Sequence, residues 1–213
     1  MKVETKALLE KYKKYSYIEN LEENIIEIFK VLKESYQNNR KLLVCGNGGS
    51  ASDSDHIVGE LVKGFRKKRK LSLYEKENYS IYGIQGFELA EKLQGGLKAI
   101  NLSAHTALLT AISNDIGGDY IFAQQVNVFG EKNDIFLGIT TSGNSKNIIN
   151  ACYVAKIKGM KTILLSGRDG GESKNIFDYN LIVPFEETCD IQNAHIVIYH
   201  LLCAMLEEEF WEE

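Results

Sequence analysis

Apolar residues recur along this chain in two rhythms, and the alternation between them predicts the architecture. Ile18, Leu21, Ile25, Ile26, Phe29 and Leu32 fall at the spacing of one helix face and predict an amphipathic helix over the second and third tens of residues. Short apolar runs at Lys41–Cys45, Leu97–Leu102, Asp134–Ile139, Lys161–Leu165 and Leu181–Val183 read as buried strands. Helical patterns lie between them, at Ser50–Phe65, Ala104–Ser113, Tyr120–Phe129 and Ser145–Lys158, and a long one over Asp190–Phe210 closes the chain. Strands that alternate with helices specify an α/β fold of three layers, a five-stranded parallel sheet covered on both faces. Ligands of such sheets bind beyond the carboxyl ends of the strands.

Residues 66–94 interrupt the pattern. The stretch opens on Arg66-Lys67-Lys68-Arg69-Lys70, continues through Tyr74, Tyr79 and Tyr82, and carries one short helical pattern at Phe87–Leu93. Charge runs ordinarily face water, so the basic cluster is expected to be solvated. A lid, a subunit contact or a phosphate-facing patch is the functional alternative.

Two loops carry the candidate chemistry. Gly46-Asn47-Gly48-Gly49-Ser50 and Thr140-Thr141-Ser142-Gly143-Asn144-Ser145 each follow a predicted strand and lead into a helix. Glycine allows close backbone approach, hydroxyls donate, and a helix start adds unpaired N–H groups, so each loop suits an anion. Neither contains the lysine that a nucleoside triphosphate loop requires. Gly46, Gly48 and Ala51 formally match a dinucleotide fingerprint, but the next strand ends Ile100-Asn101 without the acidic residue that reads a ribose, so no nucleotide cofactor is expected. A phosphorylated small molecule such as a sugar phosphate fits better.

The ionisable residues point to proton transfer or metal binding. His56 and Glu60 lie four apart on one helix face, and Gln192 and His200 lie eight apart, close to two turns, on another. His195 is a less certain member of that second face. If the two helices converge, a carboxylate and an imidazole flank one cavity and can move protons beside a carbonyl. The same His56, Glu60, Gln192 and His200 set would also suit zinc, and a helix-stabilising ion pair or a core histidine are the plainer readings. His105, which opens a helix, is expected to cap or pack.

Bulk properties narrow the setting. The chain has 213 residues, 44% hydrophobic and 25% charged, which suits a single domain with a buried core. A formal charge of −4 offers no general attraction to nucleic acid or membrane, and no apolar run is long enough to span a bilayer. Met1–Tyr17 lacks the apolar stretch of a signal peptide, so the cytoplasm is the expected location. Cys45, Cys152, Cys189 and Cys203 are scattered and read as reduced thiols.

Several segments together resemble the phosphoheptose isomerases, a family of sugar-isomerase (SIS) domain proteins. They are CGNGGSASDSDHIVGELVKGF (Cys45–Phe65), ISND (Ile112–Asp115), GITTSGNSKNIINA (Gly138–Ala151), KGMKTILLSGRDGG (Lys158–Gly171) and DIQNAHIVIYHLLCAMLEEE (Asp190–Glu209). The resemblance implies a flavodoxin-like sheet and a homotetramer with interfacial active sites, residues 1–40 serving oligomerisation. It implies interconversion of sedoheptulose 7-phosphate and D-glycero-D-manno-heptose 7-phosphate through a cis-enediol, in heptose and cell-surface polysaccharide synthesis. Glu60 and His200 then match the acid/base pair. Asn47, Gly48, Gly49, Ser50, Asn114, Asp115 and Gln192 would contact substrate, and Thr140, Thr141, Ser142 and Ser145 would hold its phosphate. His56, Glu60, Gln192 and His200 match the zinc ligands of some members. The two assignments compete for Glu60 and His200, since a carboxylate bound tightly to zinc is a poor base. Non-catalytic SIS modules that bind a replication initiator are the alternative class; they lack the Glu and the second His, which this chain keeps. Departures from the family are the 66–94 segment, about twenty residues beyond the usual link, and Asp190 where an Arg is common.

Overall fold

Leu42 and Val44 point to one face of strand β1 (Leu42–Gly46), Leu43 and Cys45 point to the other, and all four are buried. A strand apolar on both faces has to lie inside a layered sheet. In the computed structural model, which describes residues 1–212, β1 pairs with β2 (Ala99–Asn101) and β3 (Ile135–Thr140). Strands β4 (Lys161–Ser166) and β5 (Tyr179–Ile182) follow, all pairs are parallel, and the order is β2-β1-β3-β4-β5. This is the flavodoxin-like order, with its switch point between β1 and β3.

Helices cover both faces. Along one lie α1 (Val3–Tyr12), α2 (Ser16–Asn20), α3 (Glu22–Gln37), α4 (Gly49–Val62) and α10 (Thr188–Phe210), which bury Leu9, Ile18, Phe29, Ile57, Leu61 and Ile198 against Leu42, Val44 and Ile139. The opposite layer consists of α7 (Thr106–Asp115), α8 (Ile121–Phe129) and α9 (Lys146–Ile157), with Phe122, Val126, Ile148 and Cys152 packed on Leu43, Cys45 and Phe136. Residues 1–40 therefore contribute α1, α2 and α3 to the chain's own core. Fully burying a single Leu or Phe is worth about 1.5–3 kcal/mol, so these two apolar layers dominate the stability. Among the described residues no helix is long and apolar enough to cross a membrane. All four cysteines are free thiols, with Cys45, Cys152 and Cys203 buried and Cys189 exposed.

Residues 66–94 depart from expectation in two ways. The segment folds into two helices instead of one: α5 (Leu73–Tyr79) and α6 (Gly83–Lys92), joined by a turn of 3-10 helix. Ser72 and Glu75 form a reciprocal capping box that starts α5, a signal present in the sequence as Ser-x-x-Glu. The two helices pack on each other, are tied at the base by an antiparallel bridge between Lys70 and Gln94, and leave Leu73, Tyr74, Ile81, Tyr82, Ile84 and Phe87 largely exposed. The second departure is Arg69. It belongs to the run expected to face water, yet its side chain has no exposed surface because it pairs with the buried Glu207 carboxylate.

Element boundaries shifted where side chains intervened. Helix α4 ends at Val62 instead of Phe65, because the N–H groups of Phe65, Arg66 and Lys67 turn towards Glu207. His105 does cap α7, its Nδ1 accepting from Leu108 N at 3.3 Å.

Candidate active site

The two small-residue loops meet at the carboxyl ends of β1 and β3. Asn47 and Asn147 exchange side-chain hydrogen bonds at 3.0 and 2.9 Å, which clamps the first loop to the first turn of α9. Ser103, just after β2, accepts from Gly46 N and donates to Gly46 O, so three strand ends are tied together. Within the second loop, Thr140 Oγ1 and Ser145 Oγ are 2.9 Å apart, and Ser142 Oγ accepts from Asn144 N. Gly143 has φ +69°, and a Cβ on it would stand 2.0 Å from Gly170 O, so only glycine fits this turn. Ser145 flanks the amino end of α9, where the first N–H groups lack helical partners and the helix dipole favours an anion. Thr141, Ser142, Ser145 and Asn47 all retain solvent access there, as do Gly48 and Gly49, whereas Ser50 is buried.

Asn114 and Asp115 end α7; both are exposed, and Asn114 donates to Asp115 Oδ1 at 2.8 Å. Gln192 lies over the start of α4: a Cβ on Gly49 would come within 2.3 Å of its amide nitrogen. The absence of a side chain at Gly49 is what admits Gln192.

Helices α4 and α10 do converge, and they bring His56, Glu60 and His200 into one group. His56 Nε2 is 3.1 Å from Glu60 Oε1 and 3.2 Å from His200 Nε2. One potential ligand atom from each residue lies within 4.8 Å of the others. His56 is nearly half exposed, so the group opens to solvent. Burial, and then the His56 charge, push His200 below the ordinary imidazole value against the pull of Glu60, which favours a neutral ring. Glu60 Oε2 is buried without a hydrogen-bond partner. Two imidazole nitrogens and a carboxylate oxygen turned to one point, with the second carboxylate oxygen free of hydrogen bonds and only 4.0 Å from Lys63 Nζ, fit a divalent ion such as zinc.

A supporting pair stands behind His56. Tyr199 Oη lies 2.9 Å from His56 Nδ1 and 3.4 Å from Asp53 Oδ1. If Tyr199 donates to Asp53 and accepts from Nδ1–H, the Nε2 lone pair of His56 is free to face Glu60 and His200. Burial raises the Asp53 carboxyl to about 6, and burial followed by the Asp53 charge pushes the Tyr199 phenol up. Neither residue was singled out from sequence, although Asp53 lies one helix turn before His56 and Tyr199 adjoins His200.

The Thr140–Ser145 turn and the Glu60–His200 pair of one chain lie towards opposite ends of the strands. Helix α4 runs back along the sheet from Gly49, eleven residues carry it about 16 Å to Glu60, and Leu97 N, just before β2 begins, bonds Leu61 O. The trio therefore lies towards the amino ends of the strands, away from the loops. His195 is no part of the trio. It is fully buried, and both ring nitrogens lack a hydrogen-bond partner, the nearby Ser166 backbone falling outside bonding geometry.

A parallel sheet ordered in this way, with a hydroxyl-rich turn at β3 and an acid–imidazole group between α4 and α10, defines a sugar-isomerase domain. The SIS domain model matches residues 83–167. A phosphoheptose isomerase from Helicobacter pylori strain P12 is 42% identical over 193 residues, spanning 91% of this chain and 88% of the relative. The structure of a phosphoheptose isomerase from Neisseria gonorrhoeae superposes with a TM-score of 0.72 at 31% identity, covering 96% of this chain and 94% of that one. One from Francisella tularensis gives 0.73 at 29% identity, covering 98% and 100%. The chain belongs to the phosphoheptose isomerase family.

Proposed function

We propose that this protein interconverts sedoheptulose 7-phosphate and D-glycero-D-manno-heptose 7-phosphate, an aldose–ketose isomerisation serving heptose and cell-surface polysaccharide synthesis in the cytoplasm. The observation that carries this reading is the convergence of Glu60 and His200 through His56, in a chain that also holds a free helix start behind Thr140–Ser145. The substrate phosphate is bound by Thr140, Thr141, Ser142 and Ser145, and Asn47, Gly48, Gly49, Ser50, Asn114, Asp115 and Gln192 contact the sugar. Glu60 removes the proton from the carbon beside the carbonyl. The resulting enediol is protonated on the neighbouring carbon, and His200, held neutral by burial, passes the proton between the two oxygens.

His56, Glu60 and His200 would hold one zinc ion per chain, and Gln192, which packs against Gly49 and lies outside that group, would have to turn towards it to act as a fourth donor. The ion, when bound, supplies a Lewis acid for the carbonyl and hydroxyl oxygens of the sugar.

Within one chain the Thr140–Ser145 turn follows the carboxyl end of β3, whereas Glu60 lies in the last turn of α4, about 16 Å along that helix from Gly49. That separation supports a homotetramer in which the turn of one subunit faces the Glu60 group of another. Incubation with sedoheptulose 7-phosphate, followed by NMR, tests the activity, and the aldose signals should grow to equilibrium. Size-exclusion chromatography with light scattering tests the assembly, which a monomeric active enzyme would contradict.

A further inference from the structure

The Glu60 side chain makes few bonds of its own. Its Oε1 meets His56, its Oε2 has no hydrogen-bond partner, and its residue lies in the last turn of α4. A helix terminus leaves its final carbonyls unpaired and frays readily. Besides Leu97 N on Leu61 O, what holds this terminus comes from two buried residues.

Arg69 donates from Nη2 to Glu60 O at 2.7 Å and from Nη1 to Leu61 O at 2.6 Å. Its Nε donates to Glu207 Oε1 at 2.8 Å, and its guanidinium lies 4.4 Å over the Trp211 ring. The Glu207 carboxylate takes three more bonds, from Phe65 N at 2.9 Å, Arg66 N at 2.8 Å and Lys67 N at 3.2 Å. Arg69 is wholly buried and Glu207 is 1% exposed. Glu207 sits seven residues beyond His200 on α10, two turns along the same face. One ion pair thus caps the turn that carries Glu60 and anchors it to the helix that carries His200.

Burying two charges is costly, and an apolar pair of similar volume often stabilises a fold as well or better. The geometry of this pair serves another end, because two Arg69 donors hold the carbonyls of Glu60 and Leu61 while a third joins Glu207, which takes the N–H groups that follow α4. We propose that Arg69 and Glu207 are positioning residues that fix Glu60 relative to His200 and His56. This rests on the isomerase reading for its kinetic test, but not for its binding test.

Both tests use the full-length protein. Arg69→Ala and Arg69→Lys are assayed with sedoheptulose 7-phosphate, and zinc affinity of each is measured by calorimetry. The expected result is a fall in kcat of about 10- to 100-fold with KM changed less than about threefold, the size of effect seen when a supporting group is lost. Guanidinium added to Arg69→Ala should restore kcat in part, and zinc affinity should drop about tenfold or more in both variants. Wild-type kcat and zinc affinity in a folded variant would overturn the proposal. So would a loss of kcat, KM and melting temperature together that guanidinium does not relieve. If Arg69→Ala does not fold, Arg69→Lys carries the same split, since it keeps the charge but cannot reach both carbonyls and Glu207 at once. Should the wild-type protein show no isomerase activity, the zinc measurement still decides the positioning claim.

Discussion

The Nε2 atoms of His56 and His200 stand 3.2 Å apart, although 144 positions separate them in the chain. Two protonated rings could not approach so closely without repulsion, so at least one is neutral, in keeping with the lowered His200 value. A neutral imidazole beside a carboxylate can act as a proton shuttle or as a metal ligand, and the next two experiments separate those uses.

Replacing Glu60 with Gln keeps the volume and removes the carboxylate proposed as the base. Turnover of sedoheptulose 7-phosphate, followed by NMR, should fall about 10²- to 10⁴-fold, the usual contribution of a general base. Circular dichroism should be unchanged, because the side chain makes no bond to the core. Near-normal turnover would remove Glu60 from the mechanism.

Metal binding should depend on His56 and, more weakly, on Tyr199, whose hydroxyl meets His56 Nδ1 at 2.9 Å. Calorimetric titration with zinc should give one site per chain in the wild type. His56→Ala should abolish it, and Tyr199→Phe should weaken it about 10- to 100-fold by releasing the ring orientation. Equal affinity in wild type and Tyr199→Phe would show that the phenol orients nothing.

The phosphate turn is open to a backbone test. Gly143→Ala places a methyl group 2.0 Å from Gly170 O at a φ of +69°. The turn has to shift, at a cost of about 1–3 kcal/mol in strain. KM for the sugar phosphate should rise by about tenfold or more while zinc affinity stays at the wild-type value, since the trio lies on other elements. A lowered zinc affinity with normal KM would reverse the assignment of the two regions.

His195 predicts a pH effect on stability. Burial lowers its value from 6.5 to about 4. Between those values the unfolded chain holds a proton that the folded chain does not. Stability from this residue is therefore complete above about pH 6.5 and is lost as pH falls towards 4, by up to about 3 kcal/mol. His195→Leu, which leaves no buried ring nitrogen unpaired, should flatten that part of the urea-denaturation profile. An unchanged slope between pH 6.5 and 4 would assign the acid sensitivity elsewhere.

Local rules in the sequence determined much of this protein. The alternation of apolar runs with helical stripes specified a parallel α/β sheet, because burial on both faces needs that pattern and no longer-range information. The Gly- and Ser-rich loops and the approach of His200 to His56 and Glu60 were legible from spacing. Tertiary structure decided what spacing cannot carry. It placed the first small-residue loop and Glu60 at opposite ends of α4, since a helix that begins at a loop must run away from it. It set Asp53 and Tyr199 behind His56. It also drew Arg69 out of an apparently solvated basic run into the core, where Glu207, 138 residues away, neutralises its charge and the carbonyls of Glu60 and Leu61 take its other bonds. A charge reads as surface until its partner is known, and that partner comes from the fold.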